Sequence, residues 1–236
     1  MHRVQSGPLV GLTGLVALLG VLTATTGLGT PSWVVGLACG MAATGLLDRS
    51  LAASGHRLGP ADRVTLLRTV LVCAVAALVA QPGSDRGWLI GLATLALALD
   101  GLDGRVARRT DTASGFGARF DMEVDAFLIL VLSVHVAGLV GWWVLLIGAA
   151  RYLLLAATRV LPWLRAPLPP RPWCKVVAVL QGVVLVAASA EPAGVVRLAL
   201  LVALALLAES FGREVRDLWR LRSLAPVRVR EIDRVA

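Results

Sequence analysis

Charge is scarce in this chain: only 16% of its 236 residues are Asp, Glu, Lys or Arg, against 57% hydrophobic side chains. With a mean hydropathy of +0.79, that composition excludes an ordinary water-soluble domain, which needs about a quarter of its residues charged. Cysteine is sparse too. Cys39, Cys73 and Cys174 are scattered, odd in number and without CxxC spacing, which leaves no disulfide framework and no zinc site. His2, His56 and His135 are equally dispersed and form no ligand set. A single tyrosine, Tyr152, leaves little for base stacking, so the net charge of +8 does not point to nucleic acid. Nearly every basic residue lies between or beside apolar runs, where anionic lipid is the fitting partner. The solid apolar runs lack the period-two alternation of a spanning barrel, and no internal repeat or long low-complexity segment is present.

What remains is apolar runs of about 20 residues, each long enough to cross a hydrocarbon core as a helix. They fall near 8–29, 32–47, 64–81, 87–107, 120–140, 141–160, 174–190 and 193–210, and predict an all-α integral membrane protein of about eight transmembrane helices. The first run follows Arg3 as a signal peptide would, but it is too long for an h-region and a second run follows at once. The polar stretch after residue 50 divides the chain into an N-terminal hairpin (1–50), a six-helix domain (51–222) and a basic tail (223–236). Arg49, Arg57, Arg63, the Arg105 to Arg119 group, Arg165, Arg171 and the tail from Arg213 fall on one side, Arg86 and Arg197 on the other. The positive-inside rule then puts both termini in the cytoplasm, with the chain in the plasma (inner) membrane.

One stretch, "LDGLDGRVARRTDTASGFGARFDMEVDAF" at 99–127, breaks the apolar pattern. Asp100 and Asp103 stand three apart at the end of one run, Asp121 and Asp125 four apart at the start of the next, so each pair shares a helix face. Gly115 and Gly117 in the connection let the chain turn, which brings four carboxylates together at the cytoplasmic end of the bundle. Unpaired, they would repel one another and be costly to draw out of water. Arg105, Arg108 and Arg119 supply part of the balance, but an oxygen-rich set this dense suits hard divalent cations, and two Mg²⁺ or Mn²⁺ ions are expected. Gly104 lies one turn from Asp100 and Ala107 one turn from Asp103, leaving bare helix surface against which a flat ligand can lie, with Arg108 offering a fork for phosphate oxygens.

The pattern Asp100-x-x-Asp103-Gly104-x-x-Ala107-Arg108, eight residues, Gly117, three residues, Asp121, three residues, Asp125 resembles the signature of the CDP-alcohol phosphotransferases (CDP-alcohol phosphatidyltransferases) without a mismatch. Members often open their first core helix with Asn-x-x-Thr-x-x-Arg; here Asp62, Thr65 and Arg68 stand at those places, with aspartate for asparagine. The resemblance covers about residues 60 to 220. It implies a six-helix core that transfers the phosphatidyl group of CDP-diacylglycerol to an acceptor alcohol and releases CMP. By position, Asp100, Asp103, Asp121 and Asp125 would hold the two metals, Asp125 would also take the acceptor proton, and Asp62, Thr65, Gly104, Ala107, Arg108 and Gly117 would bed the nucleotide. Displacement at phosphorus is helped by such a two-metal clamp and by a carboxylate base.

The acceptor is expected to be a phosphorylated polyol, such as glycerol phosphate or inositol phosphate. Lys175 is the only lysine in a chain that otherwise uses arginine, and Arg68, Arg151, Arg159 and Arg213 lie within or near helix ends, where with Lys175 they would surround a phosphate. "APLPPRP" at 166–172 forms a stiff connection. Gly87-x-x-x-Gly91 permits the close helix packing of a homodimer. The competing reading is a small divalent-cation- or proton-coupled transporter, which would place its acids at mid-bilayer on broken helices with inverted repeats.

Overall fold

The computed structural model describes residues 6–54, 59–109, 115–161, 163 and 172–232. It is all-α: α1 (Ser6–Thr26), α2 (Thr30–Ser54), α3 (Pro60–Val79), α4 (Arg86–Arg109), α5 (Gly115–Val140), α6 (Leu145–Val160), α7 (Pro172–Ala190) and α8 (Gly194–Ile232), with one 3₁₀ turn, Trp142–Val144, and no strand among the described residues. Eight helices are what the apolar runs predict. Among the described residues, six helices carry a stretch long and apolar enough to cross a membrane. The other two, α3 and α4, carry Asp62, Arg63 and Arg68, and Arg86 and Asp100.

α3 needs little apolar exterior of its own because other helices cover most of it, whereas α4 is covered by α3 and α7 and leaves another face exposed. α3 packs against α1, α2, α4 and α5, and its eight consecutive residues from Leu71 to Leu78 are at most 6% exposed. A helix buried all round is held by contact on every face. Small residues allow the close approach that association in lipid relies on: Ala74 and Ala77 of α3 and Ala93 and Ala96 of α4 are fully buried. At 20 residues, α3 is about 30 Å long, the thickness of the hydrocarbon core.

The α1–α2 hairpin is clasped to α3 at one end. The Gln81 side-chain oxygen accepts hydrogen bonds from the Gly29 amide and the Ser32 hydroxyl, both at 3.0 Å, and the Trp33 indole donates to Thr23 at 2.9 Å. Beyond α3, α5 is the second hub, touching α3, α6 and α7. Its hairpin to α6 turns at Gly141, whose φ of 141° only glycine adopts without strain. A β-carbon on Gly148 of α6 would lie 2.7 Å from the Leu130 Cα and 2.9 Å from the Ser133 Cβ, so the two backbones meet there directly.

Leu9, Val34, Leu153, Val195 and Leu198 are among many large apolar side chains left on the outside, an arrangement suited to lipid. The apolar run of the last helix gives out near 210, yet α8 continues to Ile232 and is 39 residues long. Helix-forming Glu, Arg and Leu residues between Arg213 and Leu224 and an i,i+4 ion pair between Glu209 and Arg213 support the first part of the extension. Its length of about 58 Å is nearly twice the hydrocarbon core, so its C-terminal part must leave the apolar layer.

Candidate active site

Three helices build the acidic site. α4 supplies Asp100, about two and a half turns before its end; α5 supplies Asp121 and Asp125 one turn apart on one face. One oxygen from each of the three carboxylates lies within 4.8 Å of the others. The antiparallel approach of two acidic helix ends is therefore present for these three. Asp103, Gly104, Ala107 and Arg108 lie in the last turns of α4, where the side chains fall outside the described residues.

Arg68 comes to this cluster from α3. Its side chain is fully buried. The guanidinium donates to Oδ1 of Asp121 and to Oδ1 of Asp125, pairs with Oδ1 of Asp100 at 3.3 Å, and through Nε donates to the Ala96 carbonyl at 3.1 Å. A planar fork that reaches several carboxylates at once is geometry an ammonium does not offer. The carbonyl of Ala96, one turn from Asp100, fixes the plane of that fork. The cation that the sequence reading sends to the acceptor thus faces the acids.

Arg68 brings one positive charge to three carboxylates in a half-buried setting, where negative charge is costly unless paired. The site's oxygen donors fit a hard divalent cation such as Mg²⁺ or Mn²⁺.

The residues upstream in α3 are held in the same wall. Asp62 and Thr65 are 4% and 3% exposed. Asp62 accepts a 2.8 Å hydrogen bond from the Gly59 amide, fastening the first turn of α3 where a carboxylate also opposes the positive end of the helix dipole. Aspartate instead of asparagine therefore has a local reason. Gly117 is half-buried in the first turn of α5.

The remaining cations lie around this end of the bundle. Arg151 of α6 pairs with Glu123 of α5, and Arg213 with Glu209 within α8. Lys175 and Arg159 are exposed. Lys175 follows Cys174, whose sulfur is 3.6 Å from the Ser210 hydroxyl of α8; Arg213 lies one turn past Ser210. Lys175 and Arg213 thus belong to the same end of the α7–α8 pair, where Trp163 also stacks edge-on against Trp219 at 5.6 Å between ring centroids. Sequence reading missed the part played by the Ala96 carbonyl. A backbone acceptor carries no signal in residue type.

Comparison with known proteins bears on these same helices. The family model for CDP-alcohol phosphatidyltransferase matches residues 59–208. Proteins of Mycobacterium bovis and Mycobacterium tuberculosis, described as "Putative cardiolipin synthase", are 29% identical to this chain over 106 residues, 44% of this chain and 50% of theirs. The chain thus spans about half the length of these curated relatives. No solved structure matches it. The family match runs from the first turn of α3 into α8, and takes in Arg68 and each of the three clustered aspartates; the chain belongs to the CDP-alcohol phosphatidyltransferase family.

Proposed function

We propose that the chain transfers the phosphatidyl group of CDP-diacylglycerol to an acceptor alcohol with release of CMP, and so works in phospholipid synthesis. The observation that carries this reading is the convergence of Asp100, Asp121 and Asp125 within 4.8 Å at one end of a membrane bundle of this family. In the reaction the acceptor oxygen bonds to the phosphorus that bears the diacylglycerol, and the bond from that phosphorus to the bridging oxygen of CMP breaks. Asp125 takes the acceptor proton and passes it to water, its second oxygen serving this role while Oδ1 is held by Arg68. Asp100, Asp103, Asp121 and Asp125 would hold two Mg²⁺ or Mn²⁺ ions, whose positive charge would offset the negative charge of the diphosphate oxygens and of the leaving CMP. Asp62, Thr65, Gly104, Ala107, Arg108 and Gly117 form the nucleotide bed.

The acceptor in this reading is a phosphorylated polyol. Lys175 and Arg213, at one end of the α7–α8 pair, and Arg151 and Arg159 of α6 supply the positive charge for its phosphate. The name of the mycobacterial relatives supports a second acceptor, phosphatidylglycerol, since cardiolipin holds two phosphatidyl groups on one glycerol. Charge distribution supports a site and termini on the cytoplasmic side of the inner membrane. The exposed stripe of Gly87, Gly91, Thr94, Ala98 and Gly101 on α4 suits close packing of a second copy.

The test is CMP release from CDP-diacylglycerol by purified protein in lipid, with Mg²⁺ or Mn²⁺ present or chelated. Glycerol phosphate, inositol phosphate, inositol, serine and phosphatidylglycerol are offered in turn. Release that requires both metal and a phosphorylated polyol is expected, with Lys175→Ala raising KM for that polyol about tenfold. Turnover with EDTA in place of metal would overturn the metal assignment.

A further inference from the structure

We infer that Arg68 is the standing counter-ion of the acidic site: it holds the three carboxylates together and opposes the incoming cation, so that metal binding and this arginine are antagonists. The inference rests on the reading above that the aspartates bind a divalent ion. Its own basis is geometric. Arg68 is fully buried, and its guanidinium reaches an oxygen of Asp100, of Asp121 and of Asp125 at once, joining α4 to α5 through a side chain of α3. The hydrogen bond from Nε to the Ala96 carbonyl fixes the guanidinium plane from the α4 side. A group placed to receive the acceptor's phosphate would instead present its donors to open space.

Two consequences follow from elementary electrostatics. Without a metal, the arginine offsets part of the mutual repulsion of carboxylates that converge from two helices, a repulsion that would otherwise push α4 and α5 apart. With a divalent ion among the same oxygens, the guanidinium becomes a like charge a few ångströms away, and that repulsion weakens metal binding. Arg68 is therefore a positioning residue. It keeps the ligands gathered and sets an upper bound on how tightly the ion is held, which suits a site whose metal-bound product must leave.

The experiment measures Mn²⁺ binding by electron paramagnetic resonance, and thermal unfolding with and without Mn²⁺, on the full chain in detergent. Arg68→Gln and Arg68→Lys are compared with the unaltered chain. In the metal-free state, Arg68→Gln should unfold at a lower temperature. Its Mn²⁺ dissociation constant should be at least ten times smaller, and Mn²⁺ should raise its unfolding temperature more than that of the unaltered chain. Arg68→Lys keeps the charge without the fork, so its Mn²⁺ affinity should fall between the two; it also carries the test should Arg68→Gln fail to fold. Mn²⁺ binding by both variants that is equal to, or weaker than, that of the unaltered chain would overturn the inference while leaving the metal site standing. No Mn²⁺ binding by the unaltered chain would overturn both.

Discussion

Asp125 is the residue on which the proposed chemistry turns. It touches Arg68 on one oxygen and has the other to offer to an acceptor hydroxyl. Asp125→Asn keeps the shape and an oxygen acceptor for Arg68 but removes the base and one negative charge. Its CMP release should fall by at least about a hundredfold, the usual span of a general base, while the unfolding temperature stays within a few degrees of the unaltered chain. Comparable turnover in that variant would remove Asp125 from the base role. At this scale the sequence was informative where spacing alone sets geometry: Asp121 and Asp125 share a face because four residues make about one helical turn. It was uninformative for Arg68, whose partners lie 32, 53 and 57 positions away. Residue type announces a buried cation's need for a partner, and only the packing of α3 against α4 and α5 says which.

Elements show the same division. Runs of apolar residues predict where helices lie, and the eight helices occur where the runs are. Their ends are set by other forces: α8 extends past its apolar run because helix propensity and side-chain ion pairs need no lipid. Helix contacts depend on single small residues. Gly148→Val would drive side-chain atoms into the backbone of α5 at Leu130, which cannot retreat as a flexible side chain could. That overpacking should cost about 1–3 kcal/mol, read as a lower midpoint in detergent unfolding. On α4, a Cβ at Gly91 would meet nothing within 4 Å of this chain. Gly91→Leu should leave the fold and its unfolding midpoint unchanged but shift the proposed homodimer toward monomer in sedimentation. An unaltered mass in that variant would take the α4 stripe out of the interface.

Among the described residues, most of the charge lies toward the end of the bundle that holds the acids, and Asp85, Arg86, Glu191 and Arg197 lie toward the other. Composition alone made the membrane setting plain, because no arrangement of so few charges can cover a water-soluble surface. The sidedness proposed from the arginines has a direct check. Ser84 lies in the α3–α4 connection, at the end of the bundle away from the acids. Ser84→Cys, in a background where Cys39, Cys73 and Cys174 are serine, should react with a membrane-impermeant maleimide added outside intact spheroplasts. Labelling only after lysis would reverse the orientation. The association of α1 and α2 with α3 was not legible, since the hairpin's clasp is made by Gln81 and Ser32, residues with no motif around them.

Because the partners of Arg68 are made later than Arg68 itself, synthesis at the ribosome poses a problem of timing. When α3 leaves the translocon, its buried arginine carries a partition penalty of up to about 2.5–3.5 kcal/mol, and α5, with two of the three acids, has not yet been translated. The earlier hairpin gives the newborn segment something to lean on in the interval.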